Sequence, residues 1–320
     1  MTIRMLRAAL CAVAVGLAAI PALAQEAKLD SLKIMAPAAP GGGWDQTART
    51  LQQALQENGI VKTVQVSNVP GAGGTVGLAQ FAQGRDGKSM MVGGMVMVGA
   101  ILTNKSAVTL DQVTPIARLT GEYEAVVVPA KSDIKTMADL VKKMKENPKA
   151  VSWAGGSAGG TDHILVGMIA QAVGVDPKQI SYVAYAGGGP ANAAIIGNQV
   201  TAGVSGWGEF AEQVKAGRMR VLALSSDKRI AGIDAPTLKE AGVNVELFNW
   251  RGVFAPPGIN DATKKAHVDL ITRMYNSPAW QEEMKKRDWT GILMTGDEYA
   301  NYIKTETTRI EAILKSVGLA

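Results

Sequence analysis

The residues with the clearest chemical potential lie in a glycine-rich segment around Ser157. The run Gly155-Gly156-Ser157-Ala158-Gly159 matches the G-x-S-x-G pattern of serine hydrolases, in which the serine lies between a strand and a helix. A catalytic triad also needs an acid and a histidine further along the chain. Of the two histidines, His163 lies on the helix predicted to follow the serine, and His267 lies within another predicted helix. The pattern therefore permits a hydrolase, but neither histidine is where that mechanism needs it.

Three glycine-rich loops suggest a different chemistry, the binding of an anion. They span residues 40–45, 155–163 and 185–190, and each precedes a predicted helix. The first N–H groups of a helix have no partner within the helix and carry partial positive charge. Glycine allows close approach to this backbone because it has no Cβ atom and accepts positive φ. The loops predict either one anion-binding cleft at the carboxyl ends of the strands or three tight turns.

Composition and motif spacing exclude several other kinds of site. Cys11 is the single cysteine and lies in the N-terminal leader, so thiol catalysis and cysteine-ligated metal are excluded. The sequence Gly87-Lys88-Ser89 resembles part of a phosphate-binding loop, but Ala82 stands where that loop needs its first glycine. No spacing of His, Asp and Glu resembles a zinc site.

The first 24 residues are predicted to be a signal peptide. Arg4 and Arg7 precede an apolar run over residues 8–20, and Ala22-Leu23-Ala24 has the small-x-small pattern of a cleavage site. The run of about 13 residues is shorter than the roughly 20 that span a bilayer. An uncleaved anchor is the alternative interpretation of the same residues.

The charge of the mature chain is mild and its basic residues are dispersed. Loss of Arg4 and Arg7 lowers the formal net charge by two, from +5 to +3. The longest basic cluster, Lys285-Lys286-Arg287, is flanked by acids and is typical of a solvated helix face. We therefore expect no nucleic-acid partner, and no later segment approaches the length of a membrane span.

Short β-rich runs alternate with amphipathic runs, which predicts an α/β fold with parallel strands and helical crossovers. The predicted strands are 32–35, 64–66, 90–92, 124–128, 151–153, 180–183, 200–204, 220–223 and 252–254. The predicted helices are 45–56, 75–83, 136–145, 161–173, 190–196, 262–275, 278–286 and 297–317. The length favours two sheets. We expect residues 25–128 and 250–320 to form lobe 1 and residues 129–249 to form lobe 2.

Four segments together resemble one known family. They are the run Ala39-Pro40-Gly41-Gly42-Gly43-Trp44-Asp45-Gln46-Thr47-Ala48-Arg49, the turn at residues 68–74, the loop Gly159-Gly160-Thr161-Asp162-His163, and residues 182–200. They are similar to the receptors of tripartite tricarboxylate transporters, also called the Bug family, over nearly the whole mature chain.

The resemblance implies a type II periplasmic-binding-protein fold, in which two α/β lobes joined by crossing strands close around a ligand cleft. It also implies that the glycine loops hold one carboxylate through backbone amides and bridging waters. The implied ligand-binding residues of the loops are Pro40, Gly41, Gly42, Gly43, Trp44, Asp45, Gly73, Ser157, Ala158, Gly159, Gly160, Thr161, Gly187 and Gly188. Ser205, Gly206 and Trp207 would border the distal end of the ligand. Gly155 stands where many relatives have serine.

The resemblance leaves two roles open for Arg251. This arginine recurs in the tricarboxylate-type members, which the chain resembles better than it resembles the amino-acid binders. Its guanidinium would hold a second carboxylate bidentately, or it would be a hinge residue paired with a surface acid. Asp45 is interpreted as ordering its loop and capping its helix, because it would repel an anion.

The function implied is that of a periplasmic receptor without enzymatic activity or cofactor. Citrate or another tricarboxylate is the first ligand expected, and malate or succinate is the next. The partners would be the membrane subunits of a tripartite transporter, and the receptor would be a monomer. Presentation of the ligand to a sensor kinase would use the same pocket.

Overall fold

Strands and helices alternate along the computed structural model, which describes residues 29–156, 158–185 and 188–320. The predicted signal peptide, Ser157 and Gly187 lie outside these residues. The strands are β1 (Leu29–Ala36), β2 (Val61–Asn68), β3 (Ser89–Gly94), β4 (Thr114–Pro129), β5 (Ser152–Gly155), β6 (Ser181–Ala184), β7 (Ala202–Gly206), β8 (Met219–Leu224), β9 (Phe248–Ala255) and β10 (Thr290–Thr295). The helices are α1 (Gly43–Glu57), α2 (Thr75–Phe81), α3 (Met95–Thr103), α4 (Met137–Glu146), α5 (Thr161–Ala172), α6 (Gly188–Ile196), α7 (Trp207–Lys215), α8 (Asp261–Tyr275), α9 (Pro278–Lys286) and α10 (Gly296–Ser316).

Local sequence explains most of these elements. In α1, Ala48, Leu51 and Leu55 are fully buried on one face, as their spacing predicts. In α4, the hydroxyl of Thr136 accepts the Asp139 N–H at 3.2 Å, and the Asp139 carboxylate accepts the Thr136 N–H at 2.9 Å. This reciprocal capping box fixes where the helix begins.

The long strand β4 joins two groups of strands. The strand order is β2-β1-β3-β9-β4-β7-β5-β6, with β8 and β10 also paired to β4. Residues 114–123 of β4 pair with β9, whereas its residues 124–129 pair with β7 and β8. Strands β1, β2 and β3 pair in parallel on one side, and β5, β6 and β7 do so on the other. Strand β9 is antiparallel to both β3 and β4. The result is two α/β units that share β4.

The last helix, α10, packs across both units. It contacts β4 and α3 and also lies against α5, where Ile313 and Val317 approach Gly167. The rings of Trp250 and Tyr299, the latter on α10, are nearly perpendicular at a centroid distance of 5.9 Å. None of the helices in the described part of the chain is long and apolar enough to cross a membrane.

Candidate functional site

A cavity of about 650 Å³ lies where β4 passes from one group of strands to the other. Its wall includes the starts of three helices. Gly41 and Gly43 belong to the start of α1, Gly160 and Thr161 to that of α5, and Gly206 and Trp207 to that of α7. These helix starts follow the ends of strands, where ligands of open α/β sheets bind.

The three helices begin without a side-chain cap. Their N-cap residues are Gly42, Gly160 and Gly206, which have no side chain that could accept a hydrogen bond from the first turn. The backbone N–H groups there are consequently available to a ligand, and each helix end adds partial positive charge. This is the arrangement that stabilises a bound anion.

The residues expected at the site separate into three groups. Those that line the cavity are Gly41, Gly43, Gly160, Thr161, Ser205, Gly206, Trp207 and Arg251. Those that the structure describes away from the cavity lining are Pro40, Gly42, Trp44, Asp45, Gly73, Ala158 and Gly159, whereas Gly188 is described only as the first residue of α6. Ser157 and Gly187 lie outside the described residues.

Two glycines of the second group are required for packing against α3. Gly73 has φ +63°, and a Cβ atom placed on it would lie 2.5 Å from Cβ of Ala100. Gly159 has φ +76°, and its Cβ would lie 2.6 Å from Cγ2 of Thr103. Both positions thus combine a left-handed backbone with a close approach that excludes larger residues. They hold the loops in place and do not line the cavity.

Asp45 holds the first glycine loop in place through hydrogen bonds. Its buried carboxylate accepts the Gly41 N–H at 2.8 Å, the Asn68 amide at 2.8 Å and the Arg49 guanidinium at 3.0 Å. Burial alone would raise the pKa of Asp45, but the hydrogen bonds from Arg49, Gly41 and Asn68 outweigh it and lower the pKa. The carboxylate is fully engaged within the protein.

Arg251 lines the cavity but already has a carboxylate partner. Its Nη2 atom lies 2.7 Å from Oε2 of Glu122, whose other oxygen accepts the Trp289 indole N–H at 2.8 Å. The guanidinium also lies against Gly43 at the start of α1. The acid that pairs with Arg251 therefore lies on β4 and not on the outer surface.

Several acidic residues of the wall were not predicted. Glu122, Glu124, Asp162 and Glu209 all line the cavity. The first two stand two residues apart on β4, so they share a face of the strand. Two acids at that spacing inside an otherwise apolar run were the signal in the sequence that could have revealed them.

Glu124 and Asp162 form the most unusual pair in the wall. Glu124 is 1% exposed, and its Oε2 atom receives no hydrogen bond from the described residues. Burial, followed by the charge of Asp162, raises the pKa of Glu124 well above its usual value. Burial also raises the pKa of Asp162 to about 6, although its carboxylate accepts the Gly156 N–H at 2.6 Å. The charge of Asp162 thus favours the protonated form of Glu124.

Neither histidine is arranged for hydrolysis. Nδ1 of His163 accepts the Gly159 N–H at 3.3 Å, and its ring stacks on Tyr182 at 4.0 Å between centroids. His163 therefore orders the second glycine loop, and burial lowers its pKa to about 4. His267 is buried, with Nε2 2.8 Å from the carbonyl oxygen of Gly87. Both imidazoles already have structural roles.

Comparison with known proteins identifies the family. A protein-family model, described as the tripartite tricarboxylate transporter family receptor, matches residues 47–319 of this sequence. The chain belongs to this receptor family. A protein encoded in the gbd 5′ region of Cupriavidus necator is 29% identical over 315 residues, covering 96% of this chain and 94% of its own. BugT of Bordetella pertussis is 26% identical over 298 residues, covering 90% and 89%.

Solved structures of similar receptors have the same fold. A TctC solute-binding protein from Polaromonas superposes with a TM-score of 0.77 at 20% identity, covering 89% of this chain and 98% of its own. MatC of Rhodopseudomonas palustris, solved with malate, superposes with a TM-score of 0.70 at 20% identity, covering 89% of this chain and 99% of its own. An adipate-bound protein of the same organism superposes with a TM-score of 0.72 at 20% identity, covering 90% of this chain and 97% of its own. The expected type II periplasmic-binding-protein fold is confirmed. As a member of this family, the chain is a transporter receptor and not an enzyme.

Proposed function

We propose that the receptor captures a small organic carboxylate in the cavity and delivers it to the membrane subunits of a tripartite transporter. The observation that carries this proposal is the convergence of three uncapped helix starts, those of α1, α5 and α7, on one cavity. Backbone N–H groups at such ends bind carboxylates well. The signal peptide of residues 1–24 would bring the chain to the periplasm, where it would act as a monomer.

Thr161 supplies a further donor for the carboxylate. It is 3% exposed and lines the cavity, and its Oγ1 atom has no hydrogen-bond partner in the described part of the chain. An unpaired buried hydroxyl costs free energy unless a ligand or water satisfies it. We place the ligand carboxylate between this hydroxyl and the backbone of Gly41 and Gly43.

The acidic residues of the cavity wall favour ligands that carry fewer negative charges. Citrate, the first ligand expected from the sequence, would bring up to three negative charges beside Glu124, Asp162 and Glu209. Malate and adipate, the ligands of two relatives of the same fold, carry two. We therefore rank dicarboxylates such as malate or succinate above citrate. Presentation of the same ligand to a sensor is a second use of this pocket.

We propose the division into lobes that the sequence indicated, with residues 25–128 and 250–320 in lobe 1 and residues 129–249 in lobe 2. Strands β4 and β9 would be the crossing strands, since β4 pairs on both sides of the molecule. Closure about these strands would cover the cavity once a ligand is held.

A thermal-shift screen of organic acids, sugars and amines tests the proposal. A ligand at a hundred times its Kd adds about 2.7 kcal/mol to stability, so true ligands raise Tm by several degrees. Thr161→Val should weaken the bound acid about tenfold. Thr50→Val removes a buried hydroxyl that bonds the Gln46 carbonyl in α1, and should leave affinity unchanged. A sugar that raises Tm when no carboxylate does would contradict the proposal.

A further inference from the structure

Helix α5 links the cavity to a contact between the two proposed lobes. Its N-cap Gly160 and its first residue, Thr161, line the cavity. Further along the same helix, a Cβ atom placed on Gly167 would lie 2.8 Å from Cγ1 of Val317 and 3.2 Å from Cγ2 of Ile313. Ile313 belongs to α10, and Val317 is the C-cap of that helix. This contact, which we call the α5 seat, joins α5 in lobe 2 to the end of α10 in lobe 1.

The α5 seat is closely packed. Ile313 is buried, and it belongs to the same apolar core as Ile164 and Val166 of α5. Glycine is an unfavourable residue inside a helix, but it has no Cβ atom and so allows a neighbouring helix to come closer than other residues do. Close approach of α10 therefore gives a physical reason for the glycine at position 167.

Helix α10 is itself held firmly in place. Tyr299, near its start, is fully buried and packs against Trp250 and Phe254 of β9. Nearer its end, Nη1 of Arg309 donates a hydrogen bond to the carbonyl oxygen of Glu246 at 3.0 Å. Because α10 is anchored at both of these points, the position of its last residues is defined and they can serve as a support for α5.

A second contact holds the start of α5 against α3 of lobe 1. A Cβ atom placed on Gly99 of α3 would lie 2.6 Å from the carbonyl oxygen of Gly159 and 3.5 Å from Cδ1 of Ile164. Helix α5 is thus supported by α3 at its start and by α10 further along. From Thr161 to Gly167 the helix rises by about 9 Å, so the α5 seat is close to the cavity along a single rigid element.

We propose that the α5 seat positions the start of α5 for ligand binding, with Gly167, Ile313 and Val317 as positioning residues. None of the three is among the described residues that line the cavity. A displacement at the seat would be transmitted along the stiff helix and would move Gly160 and Thr161 away from the start of α1. This inference rests on the proposed function and on the proposed lobes, because it assigns how one lobe supports the binding elements of the other.

Calorimetry of seat variants tests the inference. Citrate, malate and succinate are the probes, and the acid that binds the wild type tightest is used throughout. Gly167→Ala should raise its Kd about fivefold or more, because a binding site tolerates only small displacements of its parts. The better helix propensity of alanine offsets part of the overpacking, so this variant should remain folded.

A compensating substitution sharpens the test. The double variant Gly167→Ala, Val317→Ala lacks the Cγ1 atom that the new Cβ would meet, so its Kd should return to within about twofold of the wild type. Val317→Leu enlarges the seat from the side of α10 and should raise Kd as Gly167→Ala does. It provides a second variant should Gly167→Ala fail to fold.

Gly174→Ala is the matched control for a general loss of stability. Gly174 directly follows α5 and has φ +76°, but a Cβ atom placed on it meets nothing within 4 Å. Its substitution should strain the backbone and lower Tm without displacing α5 from α10, so Kd should stay unchanged.

The outcomes separate the inference from the proposed function. If Gly167→Ala and Val317→Leu bind the acid as tightly as the wild type, the positioning role is wrong and the carboxylate receptor stands. The role is equally wrong if Gly174→Ala loses as much affinity as Gly167→Ala, or if the double variant binds no better than Gly167→Ala alone. Should none of the three acids bind the wild type, the proposed function fails and the inference fails with it.

Discussion

The glycine loops at residues 40–45 and 155–163 are both held by an aspartate, but the pKa values of the two aspartates shift in opposite directions. In each, an aspartate in the first turn of the following helix accepts a loop N–H: Asp45 accepts that of Gly41, and Asp162 accepts that of Gly156. Asp45 also has Arg49 and Asn68, and its pKa is lowered. Asp162 has Glu124 beside it instead, and burial raises its pKa to about 6.

The difference shows that a shared motif position does not fix a shared role. Asp45 is satisfied entirely by the protein, so its charge is constant and it serves only the loop. Asp162 lacks such a basic partner, and burial raises its pKa to about 6, so its charge changes within the neutral to mildly acidic range. The aspartate of the first loop therefore keeps its charge at neutral and mildly acidic pH, whereas the aspartate of the second loop titrates near pH 6.

Removing the first aspartate should have the largest effect on folding. Asp45→Ala leaves the Gly41 N–H, the Asn68 amide and the Arg49 guanidinium without their acceptor, at a cost of about 3 kcal/mol. Asp45→Asn keeps part of the hydrogen bonding and should cost about 1 kcal/mol. Urea unfolding at pH 7 measures both. A stability equal to that of the wild type in Asp45→Ala would show that the loop does not depend on this carboxylate.

Glycine substitutions should affect the second loop more than the first. Gly41 and Gly159 both have positive φ, but a Cβ on Gly41 meets nothing within 4 Å whereas one on Gly159 meets Thr103. We expect about 1 kcal/mol lost in Gly41→Ala, from backbone strain alone. Gly159→Ala should lose about 2 kcal/mol, since overpacking adds to that strain. Equal losses in urea unfolding would indicate that the second loop relaxes away from α3 at no cost.

The two aspartates should give stability profiles of opposite slope. A raised carboxyl pKa stabilises the fold below the unfolded value and loses that contribution as pH rises through the folded value. From pH 4 to pH 7, the empty wild type should therefore lose about 1 kcal/mol relative to Asp162→Asn, after allowance for screening of a half-buried group. Relative to Asp45→Asn it should gain stability as pH rises from about 3. Parallel profiles for the two variants would contradict the comparison.

The starts of α1 and α5 could be predicted because their signals are local, whereas helix α7 was missed. Glycine runs before amphipathic segments locate the starts of α1 and α5 directly from the sequence. Helix α3 was missed because its nine residues, MVMVGAILT, are apolar throughout and follow a strand without a break. The first half of β4 was missed because Pro115 and Gly121 resemble turn residues.

The acids of the site were missed for a different reason. Glu124 meets the second loop only because β4 pairs with β7, which sets Glu124 opposite Gly206. That contact joins residues far apart in the chain, so the periodic pattern of apolar residues in the sequence does not predict it. The partner of Arg251 was missed in the same way, because Glu122 lies opposite Asn249 in the antiparallel pairing of β4 with β9. Short-range patterns predict the scaffold, whereas the pairing of distant strands sets the charge of the cavity.

The most direct test is a carbon-13 NMR titration of the aspartate carboxyls, with Asp45 and Asp162 assigned by their Asn variants. In the empty protein, Asp162 should titrate near pH 6 and Asp45 below 3.8. Saturation with the carboxylate that binds tightest should raise the pKa of Asp162, because the ligand brings a further negative charge to the cavity wall, and should leave that of Asp45 unchanged. Titration of both groups below pH 4 in the empty protein, with no response of Asp162 to ligand, would contradict the account.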